Sequence, residues 1–353
     1  MISFYQYQLP FVTPFKTGAG DIVSREGILI HFKDEDVDIL AEASPLPGFS
    51  SESFKSVKKH LMSLKSELDA FLKGSFSIDD LQQFISGPSS IQFALSDLGW
   101  KIIQFRGGQP AGHPLFQSKK KPVLVNDIVG SHDPATTKRL ILSALHDGFK
   151  TIKIKTVSPD PKLAAVLHEI YAQNKDVIFR LDANQSWNVE KLKIFNREFK
   201  NLPIEYIEEP YELHRDEEID RAFTMSAYPI AIDESIRDSN HLGKLLEKYP
   251  NLFIIIKPMM LGNIFSISET LLKYRSSYKR VVITSSLESA VGLGTISKLA
   301  ASIGDNSLAH GLNTKKLFRK DIVTGNDINN GVLILPGRTI SLNQLDQSML
   351  TQI

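Results

Sequence analysis

From about residue 122 the chain repeats one unit, a short β-branched run followed by a longer stretch with apolar residues at helical spacing. Eight runs fit this pattern: PVLVND from 122, TIKIKT from 151, VIFRLD from 177, IEYIE from 204, IAID from 230, FIIIK from 253, VVITS from 281 and LAHGL from 308. Their spacing, roughly 22 to 29 residues, is that of one strand plus one crossover helix. Between them, 161–173, 189–199 and 262–274 carry apolar residues three and four apart. The expectation is an α/β fold built on a TIM-type (β/α) barrel. A doubly wound open sheet would not bring consecutive strand ends around one point.

Five consecutive runs end on charge. Lys155 closes the second, with Lys153 two residues earlier on the same strand face, and Asp182, Glu208, Asp233 and Lys257 close the next four. A charge at the end of an apolar strand is costly to bury without a partner. In a barrel, however, the C-terminal strand ends form the rim where chemistry is done.

The first 115 residues lack this rhythm. FYQYQL and GILIHF flank the glycine-rich turn TGAGD, and helical patterns follow at 53–73, 78–85 and 90–100. The expected organisation is an α+β capping domain over 1–115, a barrel over 116–330, and a tail over 331–353. In the tail, VLILPGRTISL reads as a hairpin returning to the capping domain. The basic run Lys119 to Lys121 reads as a solvated linker.

The 353 residues are 42% hydrophobic and 23% charged, enough apolar material for a large core. Lys plus Arg at 41 nearly balances Asp plus Glu at 40, so no broad field favours nucleic acid or an anionic membrane. With no cysteine, disulfides, thiolate metal sites and a cysteine nucleophile are excluded. The start MISFYQYQLP lacks a basic segment followed by an apolar run, and the expected location is cytoplasmic.

Three carboxylates on neighbouring strands make an all-oxygen donor set suited to Mg²⁺, with Mn²⁺ as the alternative ion. Lys155 and Lys257, on the flanking strands, would face each other across it. A lysine beside a cation and a second ammonium loses its proton more readily and can serve as a base. The combination suits proton abstraction next to a carboxylate in a small-molecule substrate, where the enediolate charge needs a counter-ion. Each residue also has a structural explanation. Asp182 and Asp233 could cap helices, the two strand lysines could be a solvated edge, and Lys257 could snorkel. The shared position at successive strand ends is what sets the functional explanation above these.

The ordered pieces KIK, RLDAN, EEP, DES and KP, spanning Lys153 to Pro258, resemble the enolase superfamily in its muconate lactonising subgroup, and within it the o-succinylbenzoate synthases. PFKTGAG with SREG resembles the first mobile loop of that family, and EASPLPGFSSES the second; SSLES after strand seven and GLNT after strand eight also fit. The resemblance implies a modified, enolase-like barrel. Asp182, Glu208 and Asp233 become Mg²⁺ ligands, with Asn184 and Glu234 supporting them. Lys155 becomes the general base, Lys257 the lysine on the opposite face, and Lys153 the neighbour that eases deprotonation of Lys155. In the Glu208–Glu209–Pro210 segment the first glutamate is the expected ligand.

The implied reaction is syn dehydration of a succinyl-substituted hydroxycyclohexadiene carboxylate to o-succinylbenzoate, on the way to menaquinone. Arg180, Ser285, Ser286 and Ser289 are the expected substrate contacts, and Gly18, Gly20, Pro47 and Phe49 the specificity loops. The serines could equally cap the following helix, the glycine-rich turn could be a plain hairpin, and His310 reads as a packed barrel residue. The tail segment PGRTI departs from the subgroup pattern. Racemases and epimerases of N-acylamino acids or dipeptides share the two lysines and three acids. A non-catalytic ligand-binding barrel is the alternative of another class.

Overall fold

The computed structural model describes residues 1–17, 20–107, 122–130, 132–274, 280–325, 328–335 and 340–353, with nothing said of the side chains at 16 and 17. Gly18 and the Lys119 to Lys121 run lie outside the described residues, as does most of PGRTI.

The N-terminal part is an antiparallel sheet backed by helices. Strands β1 (Ile2–Thr17), β2 (Gly20–Asp34) and β3 (Val37–Ala43) form consecutive hairpins. Gly20 sits at the β1–β2 tip with φ +123, a conformation other residues rarely adopt. Helix α1 (Phe54–Lys73) starts at Ser53, whose hydroxyl takes the Ser56 N–H in a reciprocal capping box, and it buries the stripe Val57, Leu61, Leu68 and Leu72. After the short α2 (Ile78–Phe84) comes α3 (Ser89–Phe105), buried almost all round. Its Ile91, Ala94, Leu95, Leu98 and Ile102 belong to the capping-domain core, while Phe93, Trp100 and Ile103 belong to the barrel core.

In the second part, β4 (Val123–Leu124) precedes β5 (Asp127–Val129), and α4 (Pro134–His146) leads into β6 (Thr151–Lys155). Then α5 (Pro161–Gln173), β7 (Ile178–Asp182), α6 (Val189–Glu198), β8 (Ile204–Glu208), α7 (Asp216–Met225), β9 (Ile230–Ile232), α8 (Ser239–Lys248) and β10 (Phe253–Ile256) alternate regularly. The short α9 (Pro258–Leu261), α10 (Ile264–Lys273), β11 (Val281–Ile283) and α11 (Ala290–Ile303) complete the series. Strands β5 to β11 form one parallel sheet in sequence order.

The expected eight full strands become seven plus a stave of two residues. His310 bridges Val125 and Gly311 bridges Thr284, both parallel, and backbone bonds from Asn126 to His310 (3.0 Å) and from Gly311 to Ile283 (3.0 Å) close the ring. The eighth run stays short because the His310 imidazole accepts the Ile283 N–H at 2.9 Å, taking a donor the ladder would use. The first run is split: β4 pairs with β13 (Val332–Leu333), while β5 pairs with β6.

The tail divides between the barrel and the capping domain. Val332–Leu333 is the second arm of a hairpin with β12 (Ile328–Asn329), placed against β4 of the barrel. The return to the capping domain is made by β14 (Leu350–Gln352), which adds to the β1 edge.

Candidate active site

Residues two apart on a strand share a face, so each barrel strand sends alternate side chains inward. An apolar interior layer of Tyr206, Ala231, Phe253, Ile255 and Val282 fills the barrel. Above it, in register, come Lys155 opposite Asp182 and Asp182 opposite Glu208. Asp233 and Lys257 follow at the ends of β9 and β10, so the five charged endings share one rim. The cavity over this rim is about 670 Å³ to its open mouth and is lined by Lys153, Lys155, Asp182, Asn184, Glu234 and Lys257.

The charges are densely paired. The Lys153 ammonium lies 2.7 Å from Glu208 Oε1 and 2.9 Å from Asp182 Oδ2, and Lys257 is bonded to Asp233 with Glu234 at 4.0 Å. Lys155 donates to Asn184 Oδ1 at 3.1 Å, and Asn184 Nδ2 donates to Glu234 Oε1 at 2.9 Å. Burial works against the Lys153 ammonium, but Asp182 and Glu208 outweigh it and hold its pKa well above the usual lysine value. Burial likewise opposes the Asp182 carboxylate, and Lys153 and Lys155 overcome it to hold its pKa low. For Glu208 burial wins, reinforced by the Asp182 charge, and its pKa stands well above the ordinary range.

Neither aspartate caps a helix: the nearest helices are capped by Asn188 and Asp238. Glu208 and Glu209 face different ways. Glu208 points into the barrel, while Glu209, at φ +41, turns away to accept the backbone N–H groups of Asp233 and Ser235, both at 2.9 Å. Glu209 thereby fixes the Asp233 loop.

The donor set fits a hard divalent cation. All three side chains offer oxygen, and Glu208 Oε2 is buried without a partner. Among the described residues no three acids or imidazoles already converge into a cage. Lys153 and Lys257 hold the same carboxylates, so a cation would compete with two ammoniums.

Several expected substrate contacts are corrected. Arg180 is fully buried one layer below the rim, where its guanidinium binds Glu205 at 2.6 Å, Asn126 at 2.9 Å and the Ala309 carbonyl at 2.6 Å, over the Tyr206 ring. It does not line the cavity, because two residues along a strand lower its side chain into the next layer. Ser289 caps α11 and bonds Glu42 of the capping domain, away from the cavity. Pro47 is exposed to solvent, whereas its neighbours Leu46 and Phe49 line the site. Ser285 and Ser286 do line it: Ser285 Oγ donates to Glu288 at 2.6 Å, and Ser286 Oγ is buried without a partner. His310 is a packed residue, its pKa pushed down to about 3 by burial and by Arg180.

Other lining residues escaped sequence reasoning. Asn126 and Asn313 stand at the ends of the first and eighth runs, where the rule that found the acids would have found them. Phe15, from the capping domain, places its ring 5.4 Å from Lys155 Nζ, and Phe49, already expected in a specificity loop, sits 5.8 Å from Lys257 Nζ. Nothing in the local sequence pairs these rings with those lysines.

Residues 137–339 match the family model described as enolase C-terminal domain-like, and residues 1–97 match MenC, N-terminal domain. A relative named o-succinylbenzoate synthase, from Aliivibrio salmonicida, is 27% identical over 330 residues, covering 91% of this chain and 92% of its own. Two solved structures share the fold. The L-Ala-D/L-Glu epimerase of Bacillus subtilis has a TM-score of 0.82 at 21% identity, covering 96% of each chain. The o-succinylbenzoate synthase of Thermosynechococcus elongatus, complexed with Mg in its active site, has a TM-score of 0.69 at 21% identity, covering 91% of this chain and 94% of its own.

Proposed function

This chain belongs to the enolase superfamily of enzymes, and from that premise we propose that it is an o-succinylbenzoate synthase. The proposed reaction is dehydration of 2-succinyl-6-hydroxy-2,4-cyclohexadiene-1-carboxylate to o-succinylbenzoate. The observation that carries proton abstraction is the cavity itself, with Lys155 and Lys257 in one lining above buried carboxylates. The choice of product is supported by the relatives' name and by the match of residues 1–97, the part that supplies Phe15, Leu46 and Phe49 to the cavity.

Asp182, Glu208 and Asp233 would hold Mg²⁺. When bound, the ion supplies positive charge beside the substrate carboxylate, which stabilises negative charge as it develops there. Lys155 Nζ removes the proton from the ring carbon bearing the carboxylate, and the C–H electron pair moves into that carboxylate as an enediolate. Lys257, on the opposite strand end, holds the intermediate by charge. The electron pair then returns to the ring and expels the hydroxyl from the neighbouring carbon. In a syn elimination the hydroxyl lies on the Lys155 side, so the proton just taken can leave with it as water. Asn184 orients Lys155 by accepting its ammonium. Aromatisation drives the step.

The purified protein should convert the cyclohexadiene carboxylate to the aromatic product, and EDTA should abolish this. Lys155→Ala should lower kcat by about 10²- to 10⁴-fold, as loss of a general base does. Faster racemisation of N-succinylamino acids than dehydration would overturn the assignment in favour of an epimerase.

A further inference from the structure

Two fully buried charged residues of the capping domain take no part in this chemistry, yet both reach the barrel. Arg25, on β2, is 1% exposed and, among the described residues, donates only to carbonyls. Its partners are Ser44 and Pro45 at the start of the capping domain's second loop, Glu26 on its own strand at 3.2 Å, and Leu287 (3.1 Å) and Ser286 (3.5 Å) in the barrel loop after β11. Glu42, at the end of β3, is completely buried. Its carboxylate accepts the Tyr7 hydroxyl and Ser44 Oγ (2.8 Å) from the capping domain, and Ser289 N (3.1 Å), Ser289 Oγ and Gly292 N (2.9 Å) from the N-terminus of α11. A carboxylate there also meets the positive end of the helix dipole.

The fit is close on both sides. A Cβ on Gly292 would stand 3.0 Å from Glu42 Oε2 and 2.9 Å from the Glu288 side chain. Leu287, whose carbonyl Arg25 holds, sits at φ +68, a strained backbone for leucine that needs external support. The two loops so joined both line the cavity, Leu46 and Phe49 from one and Ser285, Ser286 and Leu287 from the other, with Leu46 and Leu287 in one apolar cluster. Neither Arg25 nor Glu42 lines it.

We infer that Arg25 and Glu42 are positioning residues that staple the 44–49 loop to the 285–289 loop, fixing as one unit the walls that select the substrate. The inference rests on the reading of this cavity as the substrate's site. It separates holding from chemistry, because Lys155, Lys257 and the three acids are anchored on strands the staple does not touch.

The experiment compares the full chain with Arg25→Met, Arg25→Ala and Glu42→Gln. Without substrate, hydrogen exchange should show 44–50 and 285–292 losing protection together, with the amides of β6 to β10 unchanged. With the cyclohexadiene carboxylate, KM should rise at least 10-fold while kcat stays within about 3-fold. Guanidinium at tens of millimolar should restore both KM and protection to Arg25→Ala, where NaCl at equal ionic strength does not. Should Arg25 variants fail to fold, Ser289→Ala removes one hydroxyl from Glu42 and should shift KM and both segments in the same direction, more weakly. Loosening of one loop alone, an equal loss in kcat, or unchanged KM in a folded variant would overturn the staple. A wild-type protein without dehydratase activity whose variants still loosen both loops together would overturn the assigned reaction and leave the staple standing.

Discussion

At the scale of single residues, the rim is a balance between buried acids and two ammoniums, and two oxygens, Glu208 Oε2 and Glu234 Oε2, lie outside that balance. A bound cation stabilises the folded state by mass action, by about 2.7 kcal/mol at 100 times its Kd. Mg²⁺ should therefore raise the melting temperature of the wild type, and Glu208→Gln or Asp233→Asn should lose most of that shift. An unchanged shift in either variant, followed by calorimetry, would count against these ligands.

Asp321 offers an independent test by pH. Its Oδ1 accepts Ile322 N at 2.7 Å and Ala290 N at 3.2 Å, and burial pushes its pKa up to about 6. The folded value lies above the unfolded one of about 3.9, so ionisation opposes folding: no cost below about pH 4, the full cost above about pH 6. That cost is at most about 3 kcal/mol. In urea denaturation, the stability of Asp321→Asn relative to wild type should climb between about pH 4 and 6 and then level off. A flat difference across that window would show that Asp321 does not titrate there.

At the scale of elements, the closing stave carries more than its length suggests. A Cβ on Gly311 would lie 2.6 Å from Thr284 Oγ1 and 3.0 Å from its Cγ2, and threonine is stiff at χ1. Gly311→Ala should cost about 1–3 kcal/mol by overpacking. Adding Thr284→Ser removes the methyl and should recover part of the loss, measured by chemical denaturation. Full stability in the single variant would mean that the stave shifts freely, contrary to the bonds that hold it on both sides.

Element identity was largely legible beforehand. Helices at 161–173, 189–199 and 262–274, and strands ending in Lys155, Asp182 and Glu208, fall within a residue or two of expectation, because regular βα units repeat their own period. The weaker readings were the first and eighth runs. In a closed sheet their hydrogen bonds are settled by partners nearly 200 residues away, Val125 with His310, so local pattern could not tell a full strand from two bridged residues. The same limit explains Arg180 and Ser289. Their positions near the motif residues are visible along the chain, but their layer and their partners, Glu205 and Glu42, are not.

At the scale of the whole molecule, α3 shares its faces between both cores, with Trp100 packed on the barrel and Leu98 on the capping domain. Strand β14 and the Arg25 and Glu42 contacts add further joins. Capping domain and barrel should therefore unfold in one transition. With Trp187→Phe leaving Trp100 as the fluorophore at the seam, its fluorescence and far-ultraviolet circular dichroism should report coincident midpoints. Two separated midpoints would show that the seam is weak.

The sequence by itself determined the parallel barrel, the order of its strands, and the two lysines and three acids at its rim, because each is written as a local pattern repeated at a fixed interval. Only the tertiary structure decided which side chains line the cavity, how the barrel closes, and how the capping domain is stapled to it. These depend on layer depth and on contacts such as Arg25 with Leu287, 262 residues apart in the chain, and no local periodicity encodes distances of that kind.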